Sequence, residues 1–245
     1  MTQVIGDVLI RWDVLLLVWS LFGLSALLIA FRPSDDKPLM WKKYFVYLLI
    51  VHIVFTCIAL HWFGILATVI FVGAAEEVWG LKNPEKKVAA WKRIIALLFV
   101  CFLGFGFIFF AAKGPVSSVW SIYASVVIFD GISQLAGQTF GRTRFAPKIS
   151  PNKTLEGFIT GWLFSFGALF LLEDMEKTDI IFGACIGPVA LLGDLLASYY
   201  KRLHGIKDYG NWIPGHGGIL DRFDSLLMVG AVVFYAGMVW LMIYI

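Results

Sequence analysis

The stretch Val14–Phe31, VLLLVWSLFGLSALLIAF, decides the fold class of this chain. It contains no charged side chain. Its 18 residues are close to the length of about 20 apolar residues that a helix needs to cross a bilayer. It is too long for the apolar core of a signal peptide, and no small-residue cleavage site follows it. We therefore predict that this segment is a retained membrane span.

The composition extends this pattern to the whole chain. Of its 245 residues, 60% are hydrophobic and only 15% are charged, against about 25% charged residues in a typical soluble domain. The sequence therefore predicts an all-α polytopic membrane protein with about eight transmembrane helices and cytoplasmic catalytic loops.

Eight apolar segments are predicted to span the membrane. They lie at about 12–31, 44–60, 62–79, 92–111, 117–137, 156–172, 180–200 and 224–244. The second and third meet at His61-Trp62, so they form either a tight hairpin or one broken unit. We divide the chain into N-terminal membrane helices, residues 1–112, and a C-terminal membrane catalytic region, residues 113–245, within one integral unit.

The distribution of basic residues predicts the orientation of these spans. Seventeen of the 20 lysines and arginines fall in the odd-numbered connections between spans. Under the positive-inside rule, these connections face the cytoplasm and both termini lie outside. We expect an integral protein of the cytoplasmic membrane, with its active site on the cytoplasmic side.

The seventh connection carries an unusual mixture of side chains. Residues 198–224 read SYYKRLHGIKDYGNWIPGHGGILDRFD. Carboxylates suit a hard divalent cation, lysine and arginine suit phosphate oxygens, and a glycine pair lets backbone N–H groups approach an anion closely. A metal-bound phosphate compound is therefore the predicted ligand. The candidate residues here are Lys201, Arg202, Lys207, Asp208, His216, Gly217, Gly218, Asp221, Arg222 and Asp224.

Two aspartates are the candidate metal ligands. If the seventh helix continues to about residue 202, Asp194 shares one face with Ser198 and Lys201. An acid in a span is expensive, so Asp194 either binds metal or phosphate, or is a structural acid paired with Lys201. A helix that starts near Ile219 would place Asp221 and Asp224 on one face.

Asp221 is the preferred ligand beside Asp194, and Asp224 is a second ligand or an orienting group. His216 could be a general base, although a hydrogen bond to phosphate suits it equally well. A helix cap is the alternative role for the pair of carboxylates.

The fifth connection is basic and contains no acid before Glu156. Its end, Ser150-Pro151-Asn152-Lys153-Thr154, suits the start of a helix, and helix N-termini attract phosphate. Candidate substrate-binding residues are Ser150, Lys153, Thr154 and Glu156. A plain helix start with an orienting charge remains the alternative.

Asp130, the other intramembrane acid, would face a polar cavity or pair with a basic residue. Gly131, Gly137 and Gly141 nearby should permit close helix packing.

These segments resemble a known signature. The first block comprises Ser198, Lys201, Arg202, Lys207, Asp208, Gly210, Ile213, Pro214, His216, Gly217, Gly218, Asp221, Arg222, Asp224 and Ser225. The second comprises Phe140, Gly141, Pro147, Ser150, Pro151, Lys153, Thr154, Glu156 and Gly157. Their spacing, with Gly193-Asp194-Leu195 upstream, is similar to that of the phosphatidate cytidylyltransferases, or CDP-diacylglycerol synthases. The resemblance covers roughly residues 125–225.

The resemblance implies that phosphatidate attacks the α-phosphorus of CTP and releases pyrophosphate. Asp194 and Asp221 would hold Mg²⁺, with a second, monovalent cation as an option. Lys201, Arg202, Lys207 and Arg222 would neutralise phosphates, together with catalytic Asp208, His216 and Asp224. Substrates would be bound by Asp130, Ser150, Lys153, Thr154, Glu156, Ser198, Gly217 and Gly218.

The implied partners are CTP, phosphatidate or a related lipid phosphate, and membrane lipids, with no nucleic acid. The oligomeric state stays open, with a homodimer among the options. Gly131, Gln134, Asn152 and Tyr200 depart from the residues usual in the family, so a paralogue with another lipid phosphate remains an alternative.

Three other functions are alternatives to a phosphatidate cytidylyltransferase. A CDP-alcohol phosphotransferase is excluded, because Gln134-Leu135 replaces the Ala-Arg of its motif and the later acids are missing. An ion-coupled transporter could use Asp130 and Asp194, but it would not need the glycine-rich and basic connections. A catalytically inactive structural paralogue is compatible with the same residues.

Overall fold

The computed structural model describes residues 2–5, 8–31, 36–81, 88–172, 177–213, 215 and 217–244. Within them are eight helices, each long and apolar enough to cross a membrane, which confirms the expected fold class. The helices are α1 Trp12–Phe31, α2 Lys37–Ala59, α3 Phe63–Gly80, α4 Ala90–Lys113, α5 Val116–Phe140, α6 Leu155–Leu172, α7 Lys177–Leu203 and α8 Leu220–Tyr244. The sequence did not predict the antiparallel pair of strands before α1, β1 Thr2–Ile5 and β2 Val8–Arg11.

The second and third spans are separate helices. Between the end of α2 and the start of α3, only Leu60, His61 and Trp62 connect the two. His61 adopts a left-handed backbone conformation, with φ of 60°, which is uncommon for a residue other than glycine and lets the chain turn sharply. The prediction of a tight hairpin is therefore confirmed, and the alternative of a single broken unit is wrong.

The least apolar span is the most buried one. The mean hydropathy of α5 is 1.4, the lowest of the eight, yet 61% of its spanning window is buried. Helices that face lipid need apolar surfaces, whereas a central helix can carry small and polar residues between its neighbours. Ser121 and Ser125 are buried in this way, and Trp120 stacks on Phe55 of α2 at 4.7 Å between ring centroids.

Glycines set the close contact between α5 and α6. A Cβ at Gly161 would lie 2.8 Å from the carbonyl oxygen of Phe129, and one at Gly157 would lie 2.6 Å from that of Ser133. Gly137 and Gly141 border the same seam, as expected. The expectation was wrong for Gly131, because a Cβ there would meet no atom within 4 Å.

Helix α8 joins the two halves of the chain. On one side it packs against α7, where a Cβ at Gly193 would lie 2.7 Å from the backbone oxygen of Asp224. On the other side it packs against α4, where a Cβ at Gly106 would lie 3.0 Å from the Cα of Ala231. The ends of α5, α6, α7 and α8 that carry the 141–154 and 204–219 connections are called the site end below.

The glycine seam gives a first prediction. Gly161→Ala should lower the free energy of unfolding by about 1–3 kcal/mol, since the added methyl group meets backbone on the facing helix. Thermal unfolding of the purified protein in detergent measures this effect.

Gly131→Ala is the matched control on α5. It should leave the melting temperature unchanged or slightly higher, because alanine favours helix and space is open there. Equal destabilisation by both substitutions would contradict the proposed role of the seam.

Candidate active site

Asp221 lies at the centre of the seventh connection. Its Oδ1 accepts a hydrogen bond from Lys201 Nζ at 2.6 Å, and its Oδ2 accepts from the backbone N–H groups of Tyr209 and Gly218 at 2.7 and 2.8 Å. The side chains of Lys201 and Asp221 are only 10% and 1% exposed. A buried carboxylate needs such partners, because unpaired it would lose its hydration without compensation. Asp221 therefore fixes the end of α7, the loop and the start of α8 in one arrangement.

The glycine pair closes around this carboxylate. Gly217 has a φ of +83°, and a Cβ on it would lie 2.6 Å from Asp221 Oδ2. The sequence predicted that these N–H groups approach an anion. In the structure, the anion that the N–H of Gly218 binds is the protein's own Asp221 carboxylate.

Glu77 of α3 caps α8 from the other half of the chain. Its Oε1 accepts from the N–H of Ile219 at 2.7 Å, and its Oε2 accepts from the N–H of Leu220 at 2.8 Å. An acid at a helix N-terminus satisfies free N–H groups and interacts favourably with the helix dipole. Glu77 is buried, and Gly218 packs directly against its carboxylate.

For Glu77 the sequence predicts only a default role, interfacial anchoring or hydrogen bonding between helices. An acid near the end of an apolar span was the available signal, but the span itself does not reveal which helix start it reaches.

Asp194 pairs with the fifth connection. Its Oδ2 forms an ion pair with Lys153 Nζ, and its Oδ1 accepts a hydrogen bond from Ser198 Oγ at 3.1 Å. Ser198 lies on the predicted face, but the proposed partner Lys201 binds Asp221 instead. Burial lowers the pKa of Lys153, yet the adjacent Asp194 carboxylate outweighs it and raises that pKa, so this lysine stays charged at neutral pH.

Asp130 and Asp224 complete a group of acids at the site end. Asp130 Oδ1 accepts from Ser225 Oγ at 3.3 Å, and Asp224 Oδ1 accepts from the N–H of Ser225 at 2.8 Å. Asp130 and Asp194 are near enough to Asp224 for their charges to repel it. Among the described residues, the buried Nε of Arg222 has no hydrogen-bond partner. The structure therefore brings acids from α5, α7 and α8 into one charged region.

Other candidate residues hold the two connections in place. Glu156 accepts from the N–H groups of Arg142 and Thr143 at 3.1 Å, and Thr154 Oγ1 accepts from the N–H of Gly157 at 3.2 Å. Arg202 links the connections, since its Nε donates to the carbonyl of Ile149 at 3.1 Å.

The remaining candidates are exposed or half-buried, or lie outside the described residues. The side chains of Lys207 and Asp208 are exposed, and Ser150 is half-buried, its carbonyl oxygen accepting from the N–H of Lys153. His216 lies outside the residues that the structure describes, so its predicted role stays a prediction.

The donor set fits a hard cation chemically. Asp194, Asp221 and Asp224 offer carboxylate oxygens, the ligands that Mg²⁺ prefers. Over the described part of the chain, three or more His, Cys, Asp or Glu side chains are not gathered in the geometry of a metal site. Lys153 and Lys201 instead neutralise Asp194 and Asp221 directly.

Comparisons with known proteins identify the family that this chain resembles. The cytidylyltransferase family matches residues 8–240. A phosphatidate cytidylyltransferase of Thermotoga maritima is 35% identical over 165 residues, covering 62% of this chain and 60% of that protein.

The phosphatidate cytidylyltransferases of Rickettsia bellii and Staphylococcus aureus are each 38% identical over 141 residues, covering 61% and 54% of their own lengths. The matched regions thus span less than two thirds of these relatives.

Removing the cation of the buried pair gives a second prediction. Lys201→Met should lower the free energy of unfolding by about 3–5 kcal/mol, because the Asp221 carboxylate is left buried without its cation. Lys207→Met, which removes an exposed lysine of the same connection, should change it by less than about 0.5 kcal/mol. Thermal unfolding in detergent measures the stability of both variants. Similar losses of stability for Lys201→Met and Lys207→Met would contradict a special role for the Lys201–Asp221 pair.

The cap from α3 gives a third prediction. Glu77→Gln should cost about 1–3 kcal/mol of stability, because the amide has one acceptor oxygen for the two N–H groups of α8. Glu76→Gln, at the neighbouring position, is the control and should be near neutral. Hydrogen exchange of the Ile219 and Leu220 amides provides the local readout, and unchanged protection in Glu77→Gln would rule out the capping role.

Proposed function

The chain belongs to the cytidylyltransferase family, and we propose that it transfers a cytidylyl group from CTP to phosphatidate. A phosphate oxygen of phosphatidate attacks the α-phosphorus of CTP, the bond from that phosphorus to the bridging oxygen breaks, and pyrophosphate leaves. The products are CDP-diacylglycerol and pyrophosphate. Such a transfer depends on positioning and charge neutralisation, and no covalent enzyme intermediate is needed.

One observation carries the proposal. Two lysine–carboxylate pairs, Lys153–Asp194 and Lys201–Asp221, lie at the site end where the two characteristic connections meet. Acids supply oxygen ligands for a cation, and the lysines supply donors for phosphate oxygens. A site that holds only metal, or only phosphate, would not need both kinds of group. The arrangement suits a metal-bound triphosphate.

Mg²⁺ is the proposed ion, and Asp194 and Asp221 would hold it with Asp224 as a further oxygen donor. When bound, it neutralises charge on the triphosphate and on the departing pyrophosphate. A second, monovalent cation remains an expectation from the sequence.

The basic side chains would do the remaining neutralisation. Lys153 and Lys201 already point their amines at the acids, so the same amines can donate to phosphate oxygens. Arg222 brings a buried Nε that is unpartnered among the described residues, which suits a charge-assisted bond to phosphate. The exposed Lys207 would meet the triphosphate from the solvent side.

Several residues would position rather than react. Arg202, Thr154 and Glu156 fix the shape of the connections through backbone hydrogen bonds, and Ser198 orients Asp194. Asp130 lies beside Ser225 and would help to shape the substrate site. We also retain Ser150, Gly217 and Gly218 as substrate-binding candidates, and Asp208 and His216 as catalytic ones.

The location of the reaction follows from the charge asymmetry of the sequence. Because 17 of the 20 basic residues lie in the odd-numbered connections, we place the site end at the cytoplasmic face of the inner membrane and both termini outside. CTP and Mg²⁺ are available on that side, and the diacyl tails of phosphatidate would remain in the bilayer.

The decisive experiment incubates the purified protein with CTP, phosphatidate and Mg²⁺ and follows pyrophosphate release. We expect release that stops on addition of EDTA and returns with excess Mg²⁺. Asp194→Asn and Asp221→Asn should each reduce kcat by roughly 100-fold or more, in line with the loss of a group that stabilises transferring phosphate. Glu76→Gln serves as the control and should keep wild-type activity.

A panel of other phosphorylated lipids belongs in the same assay. Release with one of them but not with phosphatidate would identify a paralogue with a different acceptor. No release with any phosphorylated lipid would reject the proposal, and ion flux in vesicles without CTP consumption would favour a transporter.

A further inference from the structure

An apolar groove opens beside the candidate active site. Its volume is about 340 Å³, within the range of pockets that bind small ligands. Helices α4 and α7 form its walls, and α8, on which both pack, forms its floor.

The residues that form each wall are spaced so that they share one face of their helix. On α4, Ile95 and Phe99 lie four residues apart on one face, and on α7, Leu196 and Tyr199 lie three apart. All four are more than a third exposed, so this face is not covered by the chain itself. The groove is therefore open to the side, toward the surrounding lipid.

The groove is continuous with the active site. Asp224, one of the grouped acids, lines it, and so does Tyr209. The N–H of Tyr209 binds Asp221, and its ring lies 5.2 Å from Lys201 Nζ. The hydroxyl of Tyr209 donates to the carbonyl oxygen of Ala197 at 3.0 Å, which holds the ring in place. A ligand in the groove would have one end against the buried lysine–carboxylate pair.

Charge is confined to the site end of the groove. Among the described residues that line it, the charged side chains are Lys92, near the start of α4, and Asp224, near the start of α8. Farther along lie Val100, Leu103 and Leu227, which are apolar and buried. This gradient matches a ligand with a charged head and a hydrocarbon tail.

The length of the groove matches one leaflet. From Lys92 to Leu103, α4 rises about 16 Å at 1.5 Å per residue. The hydrocarbon core of a bilayer is about 30 Å thick, so the groove spans about half of it.

We propose that this groove binds one acyl chain of the lipid phosphate substrate, with the phosphate held at the site end. The proposal rests on the proposed function, which it extends by naming the residues that select the acyl chain. Val100 and Leu103 limit how far the chain reaches, so they set the preference for chain length.

The test obstructs the groove far from the active site. Val100→Phe and Leu103→Phe each narrow it from α4, at the end away from Lys92. Leu98→Phe is the matched control, because Leu98 is exposed on α4 and does not line the groove. Each variant is assayed with dioleoyl phosphatidate in mixed micelles and with short-chain dihexanoyl phosphatidate.

We expect both groove variants to raise the KM for dioleoyl phosphatidate about tenfold, the order of effect that a few methylene groups have in an apolar pocket. The kcat/KM for dihexanoyl phosphatidate should stay within about twofold of wild type, and Leu98→Phe should behave as wild type. An unchanged KM for dioleoyl phosphatidate in both variants, or equal losses with both lipids, would overturn the proposal.

A binding measurement separates this proposal from the proposed function. Native mass spectrometry counts dioleoyl phosphatidate on the wild type and on the variants without any turnover. Suppose that the wild type binds the lipid, both variants lose it, and no pyrophosphate forms. This result would support the groove proposal and reject the proposed cytidylyltransferase activity. If the variants bind it as the wild type does, the groove proposal fails. A change from dimer to monomer in the variants would instead assign the groove to subunit contact and overturn the proposal.

Discussion

The buried ion pair between Lys201 and Asp221 is the constraint on which the site depends. The Asp221 side chain is almost fully buried, and its charge is balanced by one lysine and two backbone N–H groups. The lysine comes from the end of α7, the N–H groups come from the loop, and the acid begins α8. Three consecutive pieces of chain are therefore tied to one carboxylate, and the glycines leave room for it.

A second carboxylate extends this constraint across the protein. Glu77 of α3 caps the first turn of α8, so the N-terminal half holds in place the helix that carries Asp221, Asp224 and Arg222. The recognisable motifs lie in the C-terminal half, but their geometry depends on an acid outside them. The family match, over residues 8–240, includes these N-terminal helices as well.

Much of this architecture could be predicted from the sequence, since apolar segment length determines a membrane span and local residues determine a helix start. The start of α8 at Leu220 and the extension of α7 to Leu203 follow from such local signals. The ion pairs could not be predicted in the same way. The spacing along α7 suggests Lys201 as a possible partner of Asp194. In the structure, Asp194 instead binds Lys153 from a distant connection. Spacing along one helix shows which side chains share a face, but not which charge from another segment arrives there.

Asp194 and Asp221 are each paired with a lysine of the same chain, Lys153 and Lys201. The charges of Asp194 and Asp221 are therefore balanced by residues of the protein itself. Because the chain supplies a countercharge for each of these two carboxylates, neither has to enter the bilayer as an isolated charge. A newly inserted chain can therefore form both ion pairs from its own residues, before any ligand binds.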